Sequence, residues 1–379
     1  MRKSLFALVA AGLLTSATLT ACDSEGSDGA TGAGTATQGT GTGSGKVTGT
    51  DGIAVILPDT ASSTRWTNDD PKYLQAAFDA AKVPAQIFNA EGDEEEFKRI
   101  ARTALDRGFK VLVIVNLSAA SGKAVIQDAH ARGVKVIDYD RLTLNGAADY
   151  YVSFDNEKVG QLQAEGLINC LKQKNASNPV IAELNGSPAD NNAYLFKSGY
   201  DAVLNRQFDN AEARKGPDQF VPAWDEDNAR EIFELMIKQY PNIGGVLAAN
   251  DGLGNAAIEV LKKQGRNGKV PVTGQDATVK GLQNILTGDQ CMTVYKDTKA
   301  EADAAAALAI GLYKKDEKAT KVVDKLKDPE SGLYIPFVKL EPKAINRSNI
   351  KSIVDAEYVN VQELCAGEYR KACRNAGIL

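Results

Sequence analysis

The chain has 379 residues, which is enough for two ordinary domains. Its formal net charge is -5 and 25% of its residues are charged. This mixed, mildly acidic composition carries no electrostatic footprint for nucleic acid. A hydrophobic content of 43% is compatible with sizeable cores.

The first 22 residues have the pattern of an export signal. Arg2 and Lys3 give it a positive start, and the mostly apolar stretch from Leu5 to Leu14 is too short to span a bilayer comfortably. The closing segment Leu19–Cys22 resembles a bacterial lipobox, in which the cysteine becomes the lipidated N-terminus after cleavage. The alternative is an ordinary signal peptide with a cysteine there by chance.

A low-complexity segment follows at residues 23–50. It is almost entirely Gly, Ser, Thr, Ala and Asp, and Val47 is its first large apolar side chain. Such a segment cannot bury enough surface to offset its ordering entropy, so the composition predicts a disordered, flexible tether. The tether would let a folded part of the chain stand off a membrane surface.

The five cysteines fit an exported protein. With Cys22 assigned to the lipid, four remain, and export favours disulfides. Cys365 and Cys373 are close enough in the sequence to staple the C-terminal tail, which leaves Cys170 and Cys291 to pair by default. The alternative for that second pair is two buried free thiols.

From residue 52 onward, short β-branched runs alternate with helical stretches. Asp93 is a suitable N-cap, and three glutamates follow it at the positive end of a helix. The run 111–115 is nearly all apolar, as expected for a parallel strand covered on both faces. Strands are predicted over 53–57, 86–88, 111–115 and 134–138, and helices over 71–81, 93–107 and 122–132. This alternation predicts an α/β fold with a doubly wound parallel sheet.

The same alternation repeats over the second half of the chain. Strands are predicted over 180–184, 245–249, 270–273 and 292–295, and helices over 156–172, 192–205, 227–240, 252–264, 279–286 and 299–313. No linker rich in Pro, Gly or Ser separates the two halves. This favours two doubly wound domains joined by several crossing segments over two independent domains in series.

Polar side chains cluster just after the predicted strands, where ligands bind in open parallel sheets. Carboxylates accept hydrogen bonds, guanidinium and ammonium groups donate them and Asn does both, which suits the hydroxyls of a neutral polyol. The two tryptophans offer apolar faces on which sugar rings pack. Each residue alone is more readily explained as a cap, a solvated charge or a core residue, so the combination supports the prediction. The set is Arg65, Trp66, Asp140, Arg141, Asp190, Asn191, Asn192, Trp224, Asn250, Asp251, Gln275, Asp276 and Lys296.

Seven strings in order along the chain indicate a family. They are Arg65-Trp66, Tyr139-Asp-Arg141, Ser153-Phe-Asp-Asn-Glu-Lys-Val-Gly160, Gly186-Ser-Pro-Ala-Asp-Asn-Asn-Ala193, Ala249-Asn-Asp251, Gly274-Gln-Asp276 and Met292-Thr-Val-Tyr-Lys296. At these residues the chain resembles the periplasmic sugar-binding proteins of the type I fold, and among them the D-xylose-binding proteins of ABC transporters. Together the strings are highly specific, whereas Ala-Asn-Asp alone is weak.

The resemblance implies two α/β domains joined by three crossing segments, with a sugar in the cleft between them. The first domain would comprise residues 51–153 plus 297–333, and the second 154–296 plus 334–379, which includes the tail with two cysteines. The crossings would lie at Phe154–Asn156, near Lys296 and near Tyr334–Val338. Closure of the two domains about these hinges would capture the ligand.

The resemblance also implies the ligand contacts. Arg65, Asp140 and Arg141 would hold the sugar from the first domain, with Trp66 as an additional stacking face. The second domain would contribute a further set, and Lys296 would sit at a hinge. That set is Asp190, Asn192, Trp224, Asn250 and Asp276.

The partners that the resemblance implies are a monosaccharide and an ABC permease, with the membrane reached through the lipid anchor. No cofactor and no metal are implied, and a monomer is the default. The lipobox with its tether, the tail over 348–379 and the second cysteine pair depart from the Gram-negative members. The loop Pro58–Thr64 also differs, which leaves the choice among xylose, glucose, arabinose and other aldoses open.

Three other functions compete with sugar capture. His130 is the single histidine, and the sequence contains no P-loop and no convincing dinucleotide fingerprint. The support for an enzyme is therefore weak. Carboxylate pairs are present, so a glycosidase stays open as an alternative. A repressor of the same fold would need a helix-turn-helix where the export signal stands. A sensor that binds an aldose for a signalling receptor is not separated from uptake by the sequence.

Overall fold

The computed structural model describes residues 49–379. Helices and strands alternate through most of this range, as the sequence predicts. The strands are β1 (Ile53–Leu57), β2 (Ala85–Asn89), β3 (Val111–Ile114), β4 (Lys135–Tyr139), β5 (Tyr150–Phe154), β6 (Val180–Asn185), β7 (Arg214–Phe220), β8 (Ile243–Ala248), β9 (Met292–Tyr295), β10 (Lys325–Lys327), β11 (Tyr334–Leu340) and β12 (Lys343–Asn346).

The helices lie between these strands and continue into the C-terminal tail. A short 3-10 helix at Pro222–Trp224 accompanies them. The α-helices are α1 (Arg65–Asn68), α2 (Asp70–Ala81), α3 (Glu94–Asp106), α4 (Ala119–Ala131), α5 (Asn156–Gln173), α6 (Asn191–Asp209), α7 (Glu226–Gln239), α8 (Asp251–Lys263), α9 (Val279–Thr287), α10 (Thr298–Lys314), α11 (Lys351–Asp355), α12 (Val361–Leu364) and α13 (Tyr369–Asn375).

A seven-stranded sheet in the order β10-β11-β5-β4-β3-β1-β2 forms the first layered unit. Its neighbours pair in parallel except β10 and β11, which are antiparallel. Every residue of β1 is buried, and alternate side chains enter opposite cores. Ala54 and Ile56 face α3 and α4, whereas Ile53, Val55 and Leu57 face α2 and α10. This explains why the strand is apolar on both faces.

A three-stranded parallel sheet in the order β7-β6-β8 forms the second unit, with a core shared by α5, α6, α7 and α8. The predicted strand over 270–273 is wrong as a regular strand: only an isolated bridge joins Val272 to Val246. Pro271 has no N–H to donate, so the segment cannot extend the ladder. Sequence analysis did not predict the edge strand β7, because most of its residues are charged or polar and it includes Pro217.

The chain passes between the two units after Phe154, after Tyr295 and between Leu340 and Lys343. The strand β11, which the sequence assigns to the second domain, pairs with β5 of the large sheet, and β12 then pairs with β9. Phe337 of β11 stacks on Tyr151 of β5 with ring centroids 4.8 Å apart. The third passage therefore falls a few residues later than the sequence indicates.

The tail beyond residue 348 folds onto α9. Leu364 and Cys373 are fully buried against Leu282 and Ile285 of that helix. A disulfide joins Cys365 to Cys373, with Cα atoms 5.8 Å apart. A second one joins Cys170 of α5 to Cys291, with Cα atoms 6.3 Å apart, so both pairings expected from the sequence are present.

The proposed export signal, the lipobox at Cys22 and the tether up to residue 48 lie outside the described residues. Within residues 49–379, no helix combines the length and the apolar character that a membrane crossing requires.

The helices α5 and α6 approach so closely that glycine is required at their contact. A Cβ added at Gly199 would lie 2.0 Å from the carbonyl oxygen of Glu157, and one added at Gly160 would lie 2.0 Å from that of Phe196. Both obstacles are backbone atoms, so neither can swing away. This contact sets the positions of the first turns of α5 and α6, which reach the cleft described below.

We predict that Gly199→Ala lowers the free energy of unfolding by about 1–3 kcal/mol, because the methyl group forces the two helices apart. Chemical denaturation measures the change. Gly245→Ala is the matched control, since its Cβ would meet nothing closer than Leu171 Cδ2 at 3.4 Å. A Gly199→Ala protein that unfolds at the wild-type denaturant concentration would contradict the predicted clash.

Candidate functional site

A cleft of about 340 Å³, including space open to solvent, lies where the carboxyl ends of the two parallel sheets face each other. The structure brings all ten predicted contact residues to its lining: Arg65, Trp66, Asp140, Arg141, Asp190, Asn192, Trp224, Asn250, Asp276 and Lys296.

Four further residues line the cleft. Gln275 belongs to the polar pattern after the predicted strands but not to the predicted contact set. Phe196 lies one turn along α6 from Asn192, so helical spacing could have identified it. Ser62 and Ser63 stand in the loop after β1, where sequence periodicity carries no signal. The Ser62 hydroxyl accepts hydrogen bonds from Trp66 Nε1 at 3.2 Å and Arg141 at 3.3 Å.

Arg65 is held by three buried acidic side chains. Its guanidinium group forms two hydrogen bonds to Asp70, at 2.6 and 2.8 Å, and lies 2.6 Å from Glu301 and 2.9 Å from Asp140. The same group lies over the Trp66 ring, 4.4 Å from its centroid. Burial lowers the pKa of Arg65, but the carboxylates outweigh it and raise the pKa well above the ordinary value. The group therefore stays a cation in a fixed orientation.

Glu301, in the first turn of α10, is the cleft neighbour that sequence analysis missed. It is fully buried, and burial raises its pKa to about 8 although Arg65 opposes the shift. Its Oε2 accepts from Arg65, whereas its Oε1 has no hydrogen-bond partner among the described residues. In an Ala-rich helix, a single glutamate gives no sequence signal that distinguishes it from a solvated charge.

Asp140 is the central acceptor of the cleft. Its carboxylate accepts from Arg65 at 2.9 Å, from Lys296 at 3.3 Å and from Asn192 at 3.1 Å. Burial raises the pKa of Asp140, but Lys296, Arg65 and Arg141 outweigh it and lower the pKa below its usual value. Asp140 therefore remains ionised.

Contacts made by Arg141 and Asn192 cross from the large-sheet side to the other side of the cleft. Arg141 Nε lies 3.0 Å from Asp190 Oδ2, as a buried ion pair. Asn192 donates to both the carbonyl and the carboxylate oxygen of Asp140, at 3.0 and 3.1 Å. Burial raises the pKa of Asp190, and Arg141 opposes that shift. Because Asp190 also caps α6 by accepting from the Asn192 amide at 2.9 Å, these contacts are fixed by a helix end.

Trp224 packs closely against the backbone at Gly186. A Cβ at Gly186 would sit 1.9 Å from the indole, so only glycine leaves room for the ring. The indole Nε1 donates to Asp190 at 3.1 Å, and Phe196 meets the ring edge-on with centroids 6.3 Å apart. The ring is 6% exposed and faces the cleft. It offers the apolar face that a sugar ring requires.

Three cleft residues adopt the left-handed backbone region. The φ angles are 60° at Asp140, 58° at Trp224 and 98° at Asp276. Such conformations cost about 1–3 kcal/mol for residues other than glycine, and they persist where the surroundings determine them. Their concentration in one cleft is typical of a functional site.

Asn250 and Asp251 organise the second side. Asn250 Oδ1 caps α8 by accepting from the Leu253 amide at 2.9 Å, so its amide nitrogen is the group offered to the cleft. Asp251 is fully buried and accepts from Thr278, Gln290 and Thr293. Burial raises the pKa of Asp251 to about 7, and Asp276 adds to that shift. Asp251 thus ties the start of α8 to the segments on which Asp276 and Lys296 stand.

The charges of the lining balance. Arg65, Arg141 and Lys296 supply three cations, and Asp140, Asp190 and Asp276 supply three carboxylates. A charged ligand would add an uncompensated charge to this buried site, which is costly. A neutral molecule that both donates and accepts hydrogen bonds, and has apolar faces for indole rings, fits this lining.

The single histidine of the sequence lies outside the cleft. His130 stands in the last turn of α4, 39% exposed and 2.9 Å from Asp149, as a helix-end histidine. It does not line the cleft. Between residues 49 and 379, no group of three or more His, Cys, Asp or Glu side chains is arranged to hold a metal ion.

Comparison with known proteins gives one consistent family. The model of the periplasmic binding protein domain matches residues 53–317. The chain is 38% identical over 295 residues to the D-xylose-binding periplasmic protein of Escherichia coli (strain K12), covering 76% of this chain and 85% of that protein. It is 32% identical over 333 residues to the multiple sugar-binding periplasmic receptor of Rhizobium radiobacter, covering 83% and 92%.

A solved structure extends the likeness to three dimensions. It is an ABC transporter solute binding protein from Clostridium phytofermentans with bound β-D-glucose, matched with a TM-score of 0.75 at 26% identity. The match covers 82% of this chain and 99% of that one.

The buried acid beside Arg65 predicts a pH dependence of stability. The pKa of Glu301 is about 8 in the folded chain against an ordinary 4.5, so the folded state binds this proton more tightly than the unfolded state. The stabilisation of the folded state by this tighter proton binding is present at low pH and is lost as pH rises from about 4.5 to about 8. Between about pH 5 and pH 8, the wild type should lose roughly 1–3 kcal/mol more unfolding free energy than Glu301→Gln.

Denaturation of both proteins at the two pH values measures this difference. Glu330→Gln, at an exposed position, is the control and should follow the wild type. Parallel pH profiles for the wild type and Glu301→Gln would show that Glu301 is ionised throughout.

Proposed function

Because the chain belongs to the periplasmic binding protein family, we propose that it captures D-xylose and delivers it to an ABC permease. The fold and the relatives are those of solute-binding proteins rather than enzymes. One observation in the structure carries the proposal: a buried, charge-balanced cleft bordered by two indole rings. D-xylose is favoured over other aldoses by the 38% identity to a D-xylose-binding protein over most of both chains.

In this proposal, each side of the cleft supplies part of a hydrogen-bond set. Arg65, Asp140 and Arg141 contact the sugar from the large-sheet side, and Trp66 borders them. Lys296, at the second passage between the units, contacts it near the hinge. From the other side come Asp190, Asn192, Trp224, Asn250 and Asp276.

We propose that capture proceeds by closure of the two units about their three connecting segments. The sugar stabilises the closed state because only that state completes its contacts on both sides. The contacts between Arg141 and Asp190, and between Asn192 and Asp140, cross the same cleft and would hold the acceptors and donors in place. Micromolar affinity corresponds to about 8 kcal/mol, which a few charge-assisted hydrogen bonds and stacking faces supply after ordering costs.

We further propose that Cys22 carries a lipid that holds the exported protein at the outer face of the cell membrane. The Gly-, Ser- and Thr-rich segment after it would let the sugar-binding part reach the permease. The permease is a separate protein, and the binding protein acts as a monomer.

A sensory role is the second candidate, because one relative is a multiple sugar-binding periplasmic receptor with 32% identity. In that case the same cleft would bind another aldose, such as glucose or arabinose, for a signalling partner. Loss of xylose uptake after deletion of the gene favours transport, whereas a lost sugar response with normal uptake favours sensing.

Asp276→Ala is expected to weaken D-xylose binding at least about tenfold, because a buried charge-assisted hydrogen bond contributes roughly 1.5–3 kcal/mol. Isothermal titration of the chain without its first 22 residues measures the affinity. Asp303→Ala, which removes an exposed carboxylate of α10 paired with Lys299, is the control and should bind as the wild type does. An affinity within about twofold of the wild type for Asp276→Ala would contradict the assignment.

Cys22→Ala is expected to abolish lipid attachment, because the acyl anchor has no other attachment point in this proposal. Mass spectrometry of the N-terminal peptide of the exported protein measures the attached acyl chains. Ser24→Ala, which keeps the cysteine, is the control and should carry the lipid. A wild-type N-terminal peptide without an acyl chain on Cys22 would exclude the lipid anchor.

A further inference from the structure

The C-terminal tail lies beyond the residues 53–317 that match the family, yet it borders the space next to the cleft. Tyr358, Val359, Asn360 and Glu363 border an open vestibule that adjoins the sugar cleft. Asp276 borders both spaces. The tail therefore stands beside a residue of the proposed sugar site.

Tyr358 makes the direct contact. Its hydroxyl donates a hydrogen bond to the backbone carbonyl oxygen of Asp276 at 3.1 Å. Its ring meets the ring of Tyr295 edge-on, with centroids 4.6 Å apart. Tyr295 directly precedes Lys296, so Tyr358 touches the supports of two charged groups in the cleft.

The turn that Tyr358 contacts is strained. Asp276 has a φ of 98° and Ala277 a φ of 51°, and neither residue is glycine. In the backbone of this turn, the Asp276 amide donates to the Val294 carbonyl at 2.9 Å and the Ala277 amide donates to Thr293 Oγ1 at 3.2 Å. The Asp276 carboxylate also accepts hydrogen bonds from two side chains, Ser63 at 3.4 Å and Gln275. The Tyr358 hydroxyl fixes the carbonyl between those two amides. A strained conformation of this kind persists only while its surroundings determine it.

The tail is built to hold the hydroxyl in place. The Tyr358 amide donates to the Ile353 carbonyl at 3.1 Å, which closes the end of α11. Further along, the disulfide between Cys365 and Cys373 closes a short loop, and Leu364 is fully buried in the core that the tail shares with α9. Tyr358 therefore lies in a segment that is held in place on both sides of it.

We propose that Tyr358 is a positioning residue for the sugar site: it holds the strained turn that aims the Asp276 carboxylate into the cleft. The expected effect on sugar affinity rests on the proposed function. The expected effect on the turn at Asp276 does not rest on it. The tail, which lies outside the residues that match the family model, would thereby have a role in ligand binding.

The test is Tyr358→Phe, which removes the hydroxyl and keeps the ring against Tyr295. Titration with D-xylose should show a dissociation constant raised about fivefold, the effect of one lost hydrogen bond. Tyr369→Phe is the matched control, because that tail hydroxyl accepts from Lys280 at 2.9 Å instead of holding Asp276. Its affinity should equal that of the wild type.

A double-mutant cycle separates positioning from a general structural effect. If Tyr358 acts through Asp276, adding Tyr358→Phe to Asp276→Ala should change the affinity by less than about 1.5-fold. An equal, roughly fivefold loss in both backgrounds would overturn the inference, since the tyrosine would then act on the fold at large.

Hydrogen exchange in the sugar-free protein tests the turn independently of ligand. The amides of Asp276 and Ala277 should exchange at least about threefold faster in Tyr358→Phe than in the wild type or Tyr369→Phe. Faster exchange in a protein that binds no sugar would support the positioning role and refute the proposed function. Unchanged exchange would overturn the inference whatever the sugar affinity.

Discussion

The guanidinium group of Arg65 is the interaction on which the rest of the site depends. It is buried among Asp70, Asp140 and Glu301, which come from three separate stretches of the chain. A cation in this position would be prohibitively costly without those partners, and the carboxylates would be costly without it. The cluster therefore fixes α1, β4 and α10 relative to one another. The carboxyl end of the large sheet thereby forms one rigid wall of the cleft.

The opposite wall is fixed by helix ends and by glycine. Asp190 and Asn250 cap α6 and α8, and Gly186 leaves the space that Trp224 fills. The close approach of α5 and α6 keeps Asn192 within reach of Asp140. The lining of the cleft therefore contains equal numbers of cations and carboxylates. Such a lining discriminates by hydrogen-bond geometry and against net charge, which is the requirement for selecting a neutral sugar.

Much of this site could be predicted because it follows the regular part of the fold. Asp140 and Asn250 each come directly after an apolar strand, where parallel sheets place ligand contacts. The remainder depends on contacts distant in sequence. Glu301 resembles a solvated charge until α10 is packed on the sheet, Ser62 lies in a loop without periodicity, and β7 is too polar to be recognised as a strand. Tyr358 lies 82 residues after its partner Asp276 in the sequence, and the two residues come into contact only when the tail folds back onto α9.

Sugar capture is tested most directly by isothermal titration of the wild-type chain, without its first 22 residues, against D-xylose, D-glucose, L-arabinose and D-ribose. We expect micromolar or tighter binding of D-xylose at one site per chain, equivalent to about 8 kcal/mol, and weaker binding of the other three. Tighter binding of another of these sugars would leave the cleft intact and reassign its ligand. No heat with any of the four would contradict the claim that this charge-balanced cleft holds a monosaccharide.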